Sequence, residues 1–272
     1  MRLERALLVF GKDWREVRRN WEVILPIALV PLIFSVILPI VFFILPGSVS
    51  GSSSTGGIDA LIRNMPSNVQ AELTGMSSLQ VMTYVMALYF FAPFFLIIPV
   101  MASSVIASDS FAGEKERKTI EGLLATPLTD GELLLGKILV SFVPSMIVTL
   151  LSFTAYCASV DFFGYGLFGR LLLPNLSWLM LLLGLAPVVS LAAIGLTVIV
   201  SARVRGFREA QQISVLLILP ILGLFFSQAT GVLFFGPTLI LLLTGFFAVV
   251  DMVIFRAGLR LFQREEILSQ TR

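Results

Sequence analysis

A chain of 272 residues that is 57% hydrophobic and 13% charged, with mean hydropathy +0.96, lies far from soluble proteins, where roughly 25% of residues are charged. Histidine is absent, which excludes Ser-His-Asp and Cys-His hydrolase constellations and every His-ligated metal site; the single cysteine, Cys157, cannot close an internal disulfide. The composition predicts an all-α, polytopic membrane protein forming one transmembrane domain over 1–272, and the net charge of +2 matters less than where the charges stand.

Residues 1–22 read as an amphipathic helix lying in a membrane interface, because Leu3, Leu7, Phe10, Trp14, Val17 and Trp21 recur at helical spacing with Arg2, Arg5, Lys12, Arg15, Arg18 and Arg19 beside them. Acids are interspersed there, so the first apolar run is expected to remain as a span and not to be cleaved as a signal. Six spans are predicted at 23–46, 81–108, 138–160, 176–202, 213–228 and 232–255. The first is uncharged for 24 residues, about 36 Å of helix at about 1.5 Å per residue; Pro26, Pro31 and Pro39 are expected to kink it. Residues 47–80 read as a loop that opens on a Gly/Ser-rich linker without a phosphate-binding pattern.

Residues 161–174 and 203–212 read as short loops, and Asn175-Leu176-Ser177 matches a glycosylation sequon by a short coincidence. In the fourth span Ala186, Ser190, Ala193, Thr197 and Ser201 form a stripe of small residues, suited to close helix approach within the chain or between subunits. Asp251 is the one acid inside a span, placed where Arg256 or the interface could satisfy it. With six spans, the N-terminus, the 109–137 segment, the 203–212 loop and the C-terminal tail share one side and hold 17 of the 19 basic residues. The positive-inside rule makes that side cytoplasmic, so both termini are expected in the cytoplasm and the protein in the cell membrane.

The 109–137 segment carries ten of the 36 formal charges between two spans. The second span is expected to continue as helix to about Ala125, with Glu114–Lys118 and Arg117–Glu121 pairs at i,i+4. Thr126-Pro127 ends it, and Thr129 with Glu132 restarts a helix through a capping box. The result is a helical hairpin with a short turn, read as a docking knob for another protein. Gly131–Lys137 fits GxxxxGK, but Ile138 replaces the Ser/Thr hydroxyl and the context is a helix start, so no nucleotide site is expected.

The run FAGEKERKTIEGLLATPLTDGELLLGK resembles the cytoplasmic signature of the type-2 (ABC-2-type) membrane subunits of ATP-binding-cassette transporters. There, an acidic F-x-x-E-x-E-x-x-T-x-E-x-L-L-x-x-P run precedes an E-L-x-x-G-K re-entry. The match covers about 27 residues; elsewhere the likeness is one of layout. Lys118 stands where that family often has Gly, a departure expected only to alter helix stiffness. The resemblance implies a permease subunit, an exporter, that forms the substrate pathway and is coupled through the 109–137 hairpin to a separate ATP-hydrolysing subunit. Glu114, Glu116, Thr119 and Glu121 match the acidic helix, Pro127 the turn, and Glu132, Gly136 and Lys137 the re-entry. The chain itself would be no enzyme, with no catalytic residue, metal or cofactor; ATP and Mg belong on the partner. A second permease copy or a homologous permease, and membrane lipid, are the other partners implied, with no nucleic acid. A secondary transporter or channel is the alternative. It would be expected to bury ionisable residues in its spans.

Overall fold

A computed structural model describes residues 3–44, 65–119, 128–204, 206–230 and 232–261. The Gly/Ser-rich linker, Glu121, and the first part of the expected hairpin turn with Pro127 lie outside the described residues. Helix α1 is Leu3–Val17. Among the described residues, six helices are long and apolar enough to cross a membrane: α2 (Trp21–Phe43), α4 (Ser78–Glu116), α5 (Asp130–Phe168), α6 (Leu176–Arg203), α7 (Phe207–Ala229) and α8 (Pro237–Leu261). A short helix, α3 (Ser67–Leu73), interrupts the segment expected to be loop. No strand occurs among the described residues.

The long helices alternate in direction, so the ends of α4 and α6 and the starts of α5 and α7 gather at one end of the bundle beside α1. We call this the charged end. At the far end, the Gln80 side chain donates to the Leu167 carbonyl at 2.7 Å, joining the start of α4 to the end of α5. Two spans take in much of an expected loop. The fifth takes in 207–212, expected to be loop, because Phe207 and Ala210 are buried and seat that turn. The third runs on to Phe168, where Gly169, at φ +63°, ends it as left-handed helix ends do. Asn175 caps α6 by accepting the Trp178 amide at 2.9 Å.

Helix α4 forms the centre. A π turn, Met86–Phe90, precedes Pro93, which brings no N–H of its own. Side chains from neighbouring helices supply donors: the Tyr156 hydroxyl reaches the Ala87 carbonyl at 2.7 Å and the Trp178 indole N–H the Leu88 carbonyl at 2.8 Å. Their rings stack at 4.8 Å, so a polar need becomes a rigid aromatic packing point. The small-residue stripe of α6 is buried within the chain: Ser190 meets Ser145 of α5 at 3.2 Å, and Thr197 meets Ser214 of α7 at 3.1 Å. In contrast, Leu25, Leu29, Ile37 and Val41 of α2 and Leu242, Phe246 and Val249 of α8 face outwards. An apolar surface of that extent is unfavourable in water and suited to lipid.

Helix α1 divides its surface differently from the expected single apolar face. Ala6, Val9, Asp13 and Val17 are buried against the protein, whereas Leu7 and Trp21 remain exposed and Phe10 and Trp14 half-buried. The apolar stripe read from sequence is therefore divided: Val17 docks with Phe10 and Trp14 packed beside it, and Leu7 and Trp21 face outwards. The face that docks contains an acid.

Candidate functional site

The docked face of α1 meets α5 at Gly136. A Cβ built there would lie 2.7 Å from the Val9 Cβ and 2.8 Å from the Ala6 carbonyl oxygen, so only glycine permits this approach. The contact brings Asp13 over the junction of α4 and α5, where a second π turn of α4, Asp109–Gly113, is followed directly by Glu114.

Around this junction four carboxylates meet three cations. Lys137 is fully buried, and its ammonium donates to the Glu114 carboxylate and the Ser110 carbonyl, with Asp13 at 3.4 Å. Glu114, also buried, accepts from Lys12 at 2.5 Å, and Lys12 lies 3.1 Å from Asp13 and 3.4 Å from Glu16. The Ser110 hydroxyl donates to Asp13 at 2.9 Å. Alongside, Arg117 pairs with the buried Asp109 at 3.0 Å and approaches Glu16 at 3.7 Å, while the Asn20 amide donates to Asp109 at 3.1 Å. Burying charge is costly unless it is paired and hydrogen-bonded, and here each buried ion has several partners. Burial alone would lower the Lys12 pKa, but the hydrogen bond and charge of Glu114, with Asp13, hold it above its ordinary value. Burial is likewise outweighed for Arg117 by Asp109. Carboxylate oxygens of Asp13, Glu16 and Glu114 come within 4.8 Å of one another, the spacing of a metal-ion set. Lys12 bonds to all three and Lys137 to two, so the chain's own ammonium groups supply the positive charge there.

The next two residues of the Glu-Lys-Glu run fasten other helices. The Lys115 ammonium donates to the carbonyls of Ala202 and Val204 at 3.4 and 3.2 Å, at the C-terminus of α6, where a cation complements the helix dipole. The Glu116 carboxylate accepts the Phe207 amide at 2.9 Å at the N-terminus of α7, acting as a cap that Gly206 cannot provide. Three successive side chains thus tie α4 to α1 and α5, to α6, and to α7.

Helix α4 stops at Glu116, not near Ala125, and the physical reason is a Schellman turn. The Thr119 amide bonds to the Glu114 carbonyl at 3.0 Å and the Lys118 amide to the Lys115 carbonyl at 3.2 Å, with Lys118 at φ +57°. In place of the i,i+4 pair expected with Lys118, Glu114 pairs with Lys12 and Lys137; Arg117 pairs with Asp109, and Glu121, its expected i,i+4 partner, lies outside the described residues. Lys118 occupies a left-handed position that favours glycine, so its effect is on the helix stop and not on helix stiffness. On the return, Thr129 and Glu132 make the expected capping box, each side chain bonded to the other's backbone amide at 3.3 and 3.2 Å.

Of the residues singled out in the sequence, Glu114, Glu132, Gly136 and Lys137 therefore face the interior of the chain, Glu116 turns to α7, and the Thr119 hydroxyl bonds back to the Glu114 carbonyl at 3.3 Å. Sequence reasoning missed Asp13 and Lys12, about a hundred residues away. The available signal was an acid standing on the Ala6–Val9–Val17 face. Residues 7–257 match the family described as ABC-2 family transporter protein. The chain belongs to the ABC-2 transporter family. A search of curated proteins returned no match. As an ABC-2 family member with six apolar helices, the protein is an integral membrane component of a transporter and is not itself catalytic. Members of this family generally work with an ATP-binding subunit.

Proposed function

We propose that this ABC-2 permease is an exporter subunit that forms the substrate pathway with a second permease copy and is driven, through the 109–137 hairpin, by a separate ATPase on the cytoplasmic side. The observation that carries this reading is the anchoring of the hairpin base. Glu114, Lys115 and Glu116 connect it to four other helices within one turn, so a displacement of the turn expected at 126–131 has a stiff path into α1, α5, α6 and α7. In this reading Glu121 of the acidic helix and Pro127 of the turn touch the ATPase. Glu114, Glu132, Gly136 and Lys137 transmit by holding the hairpin in register, and Glu116 and Thr119 shape its base. The charged end, with 17 of 19 basic residues on its side by sequence, faces the cytoplasm, and ATP and Mg bind to the partner.

The test is co-expression with the candidate ATPase, followed by purification and site-directed cross-linking. Cysteines at Glu121 and Pro127 are expected to cross-link to the ATPase, whereas cysteines at the far end of α4 are not. Recovery of no ATPase, or transport by the isolated permease driven by an ion gradient alone, would refute the proposal in favour of a secondary transporter.

A further inference from the structure

A cavity of about 420 Å³ opens between α5, α6 and α8, lined by Leu134, Ile138, Leu191, Ile194, Met252 and Phe255, with Asp251 as its one ionisable group. Helix α8 reaches this place because Gly195 of α6 gives it room: a Cβ there would lie 2.3 Å from the Ile254 side chain. Asp251 stands 14 residues into α8, about 21 Å along its axis, which places it inside a hydrocarbon layer about 30 Å thick. Both carboxylate oxygens are shielded and have no hydrogen-bond partner among the described residues. Arg256, one of the two expected ways of satisfying it, does not pair with it, and Lys137 of α5 is committed to Glu114 and Asp13. An acid inside a membrane without a counter-charge is costly and marks a functional position. An apolar cavity of this size with one convergent polar group has the form of a small-molecule site.

We propose that this cavity binds the ammonium group of an amphiphile, the cation against Asp251 and the apolar body along α6 and α8, entered sideways from the bilayer. The amphiphile is an aminolipid or a free alkylamine. Phe255 at the rim adds an aromatic face that favours a cation. The inference deepens the permease reading by naming a cargo class. Its test needs no ATPase, so the two fail separately.

The experiment is equilibrium binding of dodecylamine to the full-length permease in nanodiscs of phosphatidylcholine and phosphatidylglycerol, with dodecanol and dodecyl sulfate as neutral and anionic controls. One saturable dodecylamine site per chain is expected. Asp251→Asn, close in shape, should weaken it at least tenfold, Asp251→Glu should keep it, and Met252→Trp, which fills the cavity and leaves the carboxylate, should abolish it. Competition by added phosphatidylethanolamine assigns the cation to a lipid headgroup, and lack of competition assigns it to a free amphiphile. Equal binding by Asp251→Asn, or dodecanol binding as tightly as dodecylamine, would overturn the proposal.

Discussion

Replacing Lys137 by methionine tests whether the charged junction is an internal support or a contact surface. The substitution removes a fully buried ammonium and leaves Glu114 and Asp13 with Lys12 alone. Breaking a buried pair by removing one partner typically costs about 3–5 kcal/mol, because the remaining charge stays desolvated. Here Lys12 lies 2.5 Å from Glu114 and the Ser110 hydroxyl 2.9 Å from Asp13, but the Lys12 side chain is 38% exposed, and solvent screens its contribution. The remaining partners hold the expected loss to the lower end of that range, about 3 kcal/mol, and the screening of Lys12 keeps it from falling below. Adding Glu114→Gln removes the orphaned carboxylate, and the double variant should recover about 2 kcal/mol relative to the sum of the single losses. Unfolding of the purified permease in a titrated denaturing detergent, followed by tryptophan fluorescence, measures the cycle, with ATPase co-purification recorded for each variant. If Lys137→Met unfolds like the parent but no longer retains the ATPase, the residue is a contact, and the internal-support account is wrong.

The same logic yields three further expectations. Lys118→Gly relieves a left-handed lysine and should stabilise the hairpin base by about 1 kcal/mol, read as slower hydrogen exchange at the Thr119 amide. Gly136→Ala drives a Cβ into Val9 and the Ala6 carbonyl, so it should cost about 1–3 kcal/mol and expose α1 to limited proteolysis. Glu116→Ala removes the cap of α7 and should cost about 1 kcal/mol, with faster exchange at the Phe207 amide and little change elsewhere.

Much of the architecture was legible because a membrane span is a one-dimensional signal: length and hydropathy placed all six long helices, and local spacing located the Thr129–Glu132 capping box. The misplaced ends have local causes that hydropathy does not carry. The 207–212 segment reads as polar, yet Phe207 and Ala210, three residues apart on one helix face, are buried, and the Glu116 carboxylate supplies the missing cap from another helix. Nothing in the Glu-Lys-Glu run states that its three side chains point to three different destinations. That assignment depends on which helices converge there, and convergence is a property of the fold. Lys118 was misjudged for a related reason, since a positive φ belongs to the turn and leaves no mark on the residue.

The pH response of the junction follows from the direction of the Lys12 shift. Its pKa in the folded protein is raised above the ordinary 10.5, because its charged form is held by Glu114 and Asp13 more strongly than burial disfavours it. Folding therefore stabilises the protonated lysine. That contribution is fully present below about pH 10.5 and is lost as pH rises through the folded value. Stability measured from pH 7 to pH 10 should not change through this group, and a decline should begin only at more alkaline pH. Lys12→Met should flatten that alkaline decline while lowering stability at pH 7. If Lys12→Met and the parent decline identically above pH 10.5, the ammonium is not held by the buried acids, and the anchoring of α1 to the hairpin base must rest on the Gly136 contact and on Asp13, held by Lys137 and Ser110.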